Sequence, residues 1–416
     1  MKRAWMLVGL LLAGCQGLVA TPETRTGDPE LVKPIDGLNS EQLAQFYRGQ
    51  ALFERNWSPQ EGLGPLFNDT SCVSCHGLPA AGGGSARMTT LVAGERNGAQ
   101  LTLAELGAPM IQDNAVRIGA SADARMPREQ IPSEAKVVSR RSSPPTFGDG
   151  LIEAVPEADI LAQLESSPRK TELGIKGIAN AEFNQIGRFG WKAQKGDLIE
   201  FTQQACQFEL GLSTPGRPQE HFPNLPPQKL ASPSHYGNPE TPWVQSFFDE
   251  KVASGREFSA PDLTPEQFMD MTNFQRFQAP PPRLPLTAQA ALGETRFAEI
   301  GCAACHTPAM KTGANAHGIP EGLEVRLYSD LLINDMGAGM SDGLIQGIAN
   351  GRYWRSTPLW GLRFRERFIH DGRASTLEAA IQAHGEPDSE ARKVTEAYNA
   401  LPAGEREALK AFLRSL

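Results

Sequence analysis

Cys72-Val73-Ser74-Cys75-His76 and Cys302-Ala303-Ala304-Cys305-His306 are two copies of one pentapeptide, Cys-x-x-Cys-His. That spacing is the signature of covalent c-type haem attachment. Two thiols one helical turn apart can each bond a vinyl group of one macrocycle, and the following imidazole then falls beneath the iron as proximal ligand. A zinc site would ask for four protein ligands, and a redox Cys-x-x-Cys would not need a histidine after both copies. The chain is therefore expected to carry two covalently attached c-type haems, one at each motif.

Working outward, each pentapeptide follows a helix-like stretch. The first opens at Asn39 with Gln42 three residues on, a capping-box pattern, and carries Leu43, Phe46 and Phe53. The second runs from Thr287 to about Ile300. Both contain Gly-x-x-x-Phe (Gly49 with Phe53, Gly293 with Phe297), as expected where a glycine lets two helices touch and an aromatic packs beside the haem. A second matched block lies downstream. Phe368-Ile369-His370-Asp371-Gly372-Arg373 leads into a helix reaching His384, and Phe189-Gly190-Trp191 leads into Asp197-Leu198-Ile199-Glu200. With Leu198 set on Leu377, the position of His384 falls on Ala205, and no histidine lies between His76 and His221. The expectation is asymmetry: His306 and His384 close the C-terminal haem, while the N-terminal haem, on His76, keeps an open or water-occupied sixth position. Met336 and Met340 are the alternative sixth ligands of the C-terminal haem.

The chain of 416 residues holds 41 glycines and 32 prolines, enough length for two or three cores and enough breakers for long irregular connections. Lys2 and Arg3 followed by the apolar run Trp5 to Leu12 form a leader too short to span a bilayer. Leu12-Ala13-Gly14-Cys15 resembles a lipoprotein cleavage site, with Gln16 as in lipoproteins sent to the outer membrane. The expected organisation is residues 1–14 signal peptide, 15–40 a tether lipidated at Cys15, 41–281 an N-terminal haem domain with insertions, and 282–416 a C-terminal haem domain. The folded part is expected on the periplasmic side, held to the membrane through its lipid anchor only. The net charge of −8 becomes −10 once Lys2 and Arg3 are removed, which argues against nucleic acid as a partner.

These residues resemble the bacterial di-haem oxidoreductase family, related to di-haem cytochrome c peroxidases and to the enzyme that matures the methylamine dehydrogenase cofactor. The resemblance covers about residues 41–416. It rests on Gly62-Leu63-Gly64-Pro65-Leu66-Phe67-Asn68, Tyr328-Ser329-Asp330-Leu331-Leu332, Asp335-Met336-Gly337, Trp354-Arg355-Ser356-Thr357-Pro358-Leu359-Trp360-Gly361-Leu362 and Phe368 to Arg373. It implies a mainly α, loop-rich fold of two cytochrome c-like domains, each enclosing one covalently attached c-type haem, and a peroxidase-like reaction. With the asymmetry above, the expected course is that a periplasmic donor (a small cytochrome or a cupredoxin-like protein) reduces the C-terminal haem and hydrogen peroxide or O2 is activated at the N-terminal one. The alternative is a non-catalytic di-haem electron-transfer cytochrome. Relatives bind calcium through a Thr-x-Pro segment where this chain has Arg365-Glu366-Arg367, so no calcium is expected. They also carry a tryptophan between the haems upstream of Phe189. Residues 179–183 contain none here, and Trp191 is the substitute.

Peroxide cleavage needs a proton acceptor near the iron. Glu200 is the first candidate, beside the segment where relatives carry their distal acid, and Glu153 is the second. Arg355 and Arg373 are candidates for pairing with haem propionates. His370 is expected to hydrogen-bond a propionate or backbone from its tight turn. Cys206 is read as a buried apolar side chain. His221, His235 and His317 are read as solvent-facing, and Asn334 stands where the family commonly has histidine. The stretch from Ala403, with Leu409, Phe412, Leu413 and Leu416 on one face, is expected to close the C-terminal domain.

Overall fold

The computed structural model describes residues 31–96, 99–101, 110–117, 128–133, 135–165, 167–182, 185–220, 247, 249, 251–257 and 260–416. The expected leader, Cys15 with most of its tether, and His221 and His235 lie outside them.

Two helix crossings built alike organise the chain. The helix Ser40–Glu54 starts on the predicted capping box, with Asn39 Oδ1 accepting from Gln42 N and Gln42 Oε1 accepting from Asn39 N, each at 2.9 Å. It crosses Pro265–Phe277. In the C-terminal half, Ala288–Ile300, capped by Thr287, crosses Ala403–Ser415. Both contacts turn on the predicted glycines. A Cβ on Gly49 would lie 1.9 Å from the Asp270 carbonyl oxygen, and one on Gly293 would lie 1.9 Å from that of Ala408. Only a residue without a side chain allows the approach. Phe53 then packs on Phe274 (ring centroids 4.9 Å apart) and Phe297 on Phe412 (5.2 Å).

The downstream blocks also match. An isolated antiparallel bridge joins Phe189 to Lys195, and another joins Phe368 to Ala374. Each leads to a capped helix: Leu198–Ala205, where Asp197 accepts from Glu200 N, and Leu377–Ala383, where Thr376 accepts from Ala379 N. The N-terminal helix runs on into a π-helical turn, Cys206–Leu210.

Two features lie outside the sequence reading. Residues 88–142 contain a three-stranded antiparallel sheet, Ala99–Leu101, Met88–Arg96 and Ala135–Ser142 in that spatial order. Its last strand turns Ser139 and Arg141 inward to Asp342, so the alternation of apolar and polar residues that marks a strand is missing. Contacts also run between segments on either side of residues 281/282. The helix Pro168–Leu173 and the segment after it lie on the C-terminal unit: Leu173 and Ile175 join its core, Ile178 N donates to Ile333 O (2.8 Å), and Glu390 accepts from Lys176 N and Gly177 N.

Candidate functional site: two histidine-based centres

A cavity with an empty volume of about 1390 Å³, its open mouth included, occupies the C-terminal unit. Cys302, Cys305 and His306 line it together with His384, Met336 and Met340. The Nδ1–H of His306 donates to the Tyr328 carbonyl (2.9 Å), and that of His384 to the Ala380 carbonyl (2.7 Å). Those bonds fix the tautomer and leave both Nε2 lone pairs for a metal. Burial pushes His306 down to about 4 and lowers His384 as well, so both rings are neutral at neutral pH. Met336 and Met340 pack on Trp354 instead.

His76 repeats the arrangement. Its Nδ1–H donates to the Gly83 carbonyl (3.3 Å), and burial again brings it to about 4. Phe53 stands 6.2 Å from its ring at 54°, against 6.3 Å and 53° for Phe297 and His306. The two proximal sites are copies. Burial pushes the motif thiols up as well, Cys75 and Cys302 to about 12. Among the described residues no group of three or more His, Cys, Asp or Glu is placed to hold a metal ion.

Haem fits the C-terminal cavity on a second count. Arg355 and Arg365 both line it, and each has a buried Nε without a hydrogen-bond partner. Burial lowers both guanidinium groups to about 10, which leaves them charged at neutral pH; Asp149 partly offsets this for Arg355, whereas Arg355 itself lowers Arg365 further. Two cations with unsatisfied buried donors in the lining of a largely apolar cavity fit an anionic group there, which haem propionates would supply. Arg373, the other predicted propionate partner, is instead bound to Asp371 (2.6 Å) and to the Gly339 carbonyl (2.7 Å), near the surface. Arg365 was missed, since the sequence shows only a departure from a calcium-binding segment.

The predicted carboxylates are engaged elsewhere. Glu153 is buried in an ion pair with Arg276 (2.6 Å) and accepts from Leu198 N (2.9 Å). Its other neighbour is His317 (3.7 Å), which is half-buried and not solvent-facing as expected. Glu200 accepts from Arg217 (2.8 Å) and Gln204 (2.8 Å), with Lys195 at 3.6 Å. Burial acts to raise its pKa, but those partners outweigh it and hold the group below the usual carboxylate range. Its counterpart in the C-terminal half, Ala379, is exposed. His370 is buried, its Nδ1 without a partner and its ring stacked on Trp354 (3.6 Å, 12°), while its carbonyl accepts from Ser142 N (2.8 Å). Cys206 is buried against Met271 (Sγ to Sδ 3.7 Å), and Asn334 donates to Ser356 Oγ (3.0 Å). Trp191 lines the C-terminal cavity and also a smaller one formed with Leu78, Gly84 and Arg365, and its Nε1–H donates to the Ser142 carbonyl (2.7 Å).

Among solved structures the chain is similar to a MauG-like protein associated with microbial copper homeostasis (15% identity, 96% of this chain and 95% of that one, TM-score 0.40). It is also similar to the diheme peroxidase BthA from Burkholderia thailandensis (16%, 94% and 89%, TM-score 0.40) and to hydrazine synthase from Kuenenia stuttgartiensis (13%, 100% and 100%, TM-score 0.37). No curated protein matches it. The family described as "Di-haem oxidoreductase, putative peroxidase" matches residues 123–416. That match takes in the second pentapeptide, the Phe189 and Phe368 turns and most of the chain, and the protein belongs to this di-haem oxidoreductase family.

Proposed function

We propose that the protein is a peroxidase-type oxidoreductase in which electrons enter at the His306/His384 centre and a small oxidant, hydrogen peroxide or O2, reacts at the His76 centre. Both haems are held covalently, through Cys72 and Cys75 and through Cys302 and Cys305. When bound, haem supplies the electron-transfer and O–O cleavage chemistry. The residues of the chain set access, ligation and charge.

One observation carries the reading. In two halves that share one register through the Phe–bridge–cap–helix block, His384 of one corresponds to Ala205 of the other. His306 and His384, each with Nδ1 tied to a carbonyl, would both ligate a haem held in the cavity they line and so leave no free position there for a substrate. An alanine cannot ligate, so the second site keeps a position for an oxidant. Arg355 and Arg365 balance propionate charge, and the Arg365 cation stands in the segment where relatives bind calcium, so no calcium is required. Trp191, which lines the C-terminal cavity, is the candidate for carrying electrons between the haems.

The reaction is placed on the periplasmic side of the outer membrane, with Cys15 carrying the lipid. The donor is a small periplasmic cytochrome or cupredoxin-like protein. Mixing the haem-loaded protein with peroxide and a reduced donor of either kind tests this. The expected result is peroxide-dependent donor oxidation that fails in the His76→Ala variant; no donor oxidation in either the oxidised or the half-reduced protein rejects it.

A further inference from the structure

We propose that Thr202, oriented by Gln275, is the polar group facing the open coordination position of the N-terminal haem, where it donates a hydrogen bond to the small ligand bound there. This rests on the reading that the position is open.

Two independent registers lead to these residues. The first runs through the Phe189–Lys195 and Phe368–Ala374 bridges and the caps that follow. It sets Leu198, Phe201, Thr202 and Ala205 on Leu377, Ala380, Ile381 and His384, and all four of the latter line the C-terminal cavity. The second runs through the glycine contacts, which set Asp270 on Ala408 and hence Phe274 on Phe412. One residue further it sets Gln275 on Leu413, which lines the same cavity. Where the saturated site has Ile381 and Leu413, its twin therefore has Thr202 and Gln275.

These two are bonded to each other. Gln275 Nε2 donates to Thr202 Oγ1 at 3.0 Å, and the residues are 7% and 3% exposed. Apolar residues fill the same positions in the C-terminal half, so packing alone does not call for a buried polar pair, which costs free energy unless satisfied. The direction of the bond matters more. Because the amide is the donor, Thr202 spends a lone pair and keeps its hydroxyl proton. A helical threonine commonly gives that proton to the carbonyl four residues back, as Thr272 does to Phe268 (2.9 Å). Thr202 makes no such bond to Leu198, so its proton is available to an acceptor in the site. Glu200, two residues earlier, is held by Arg217 and Lys195.

Fluoride is the probe, because it accepts hydrogen bonds strongly and its binding to ferric haem is read optically and by low-temperature EPR without turnover. In the haem-loaded protein, Thr202→Val, which keeps the shape and removes the hydroxyl, is expected to weaken fluoride binding about five- to tenfold, the value of one hydrogen bond. Gln275→Leu is expected to weaken it less, and Thr202→Ser to restore it, with the spectrum of the C-terminal haem unchanged throughout. Wild-type affinity in Thr202→Val overturns the assignment, as does a loss confined to Glu200→Gln. A wild-type protein that takes up no fluoride while both irons are low-spin overturns the open-site reading itself, which is a distinguishable failure.

Discussion

Trp191 and His370 hold the same place in the two halves of the chain and meet there, ring centroids 6.4 Å apart at 77°. Each lies two residues after the phenylalanine of its bridge, and each follows a residue with positive φ, Gly190 at 78° and Ile369 at 70°. Ser142 ties them, its carbonyl accepting from Trp191 Nε1 and its N–H donating to the His370 carbonyl (2.8 Å). The internal repeat thus brings two equivalent turns into contact, and both residues line the C-terminal cavity.

Trp191→Phe is expected to keep the ring packing and lose the indole N–H. Leaving the Ser142 carbonyl without that donor costs about 1–3 kcal/mol in stability. If the indole carries electrons between the centres, stopped-flow absorbance should show slower re-equilibration between the haems after partial reduction, while the resting spectra of both stay as in the wild type.

The glycine crossings predict matched failures. Gly49→Ala and Gly293→Ala each put a methyl 1.9 Å from a carbonyl oxygen, a clash at the severe end of the roughly 1–3 kcal/mol typical of overpacking. Thermal melts followed at the haem absorption should show a lowered midpoint for both variants, by similar amounts, while haem-stained denaturing gels show the covalently attached haems retained.

Much of this was legible in the chain. The pentapeptides, the glycine pair and the Asn39 cap are local patterns with a physical cause, and each appears where the spacing put it. What escaped depends on tertiary partners. The strand Ala135–Ser142 buries Ser139 and Arg141 against Asp342, far along the chain, so no apolar period marks it. Glu200 and Glu153 have the right chemistry, but Arg217 and Arg276 claim them. Arg365 shows its importance only as a buried donor without an acceptor.

Glu209 gives a pH dependence with a defined sign. Burial pushes its carboxyl up from 4.5 to about 7, against the opposing effect of the Asn68 bond (2.7 Å). Between those values the folded protein holds a proton that the unfolded chain has lost, so this group's contribution to stability declines as pH rises from about 4.5 to 7 and is constant above. Glu209→Gln keeps an acceptor for Asn68 and removes the titration. Urea midpoints taken from pH 5 to 7.5 should fall more steeply for the wild type than for the variant.

Replacing His384 separates its role from that of His306. His384→Ala should leave both haems covalently attached and change one low-spin centre into one that binds azide, whereas His384→Met should keep that centre six-coordinate and raise its potential, since a thioether ligand favours reduced iron. Potentiometric titration distinguishes the variants.

The inequivalence of the two irons is tested most directly by low-temperature EPR of the oxidised, haem-loaded protein with and without cyanide. The account predicts one low-spin centre indifferent to cyanide, assigned to His306 and His384, and a second centre, on His76, whose signal cyanide converts. Two low-spin centres, both unchanged by cyanide before and after partial reduction, would contradict it.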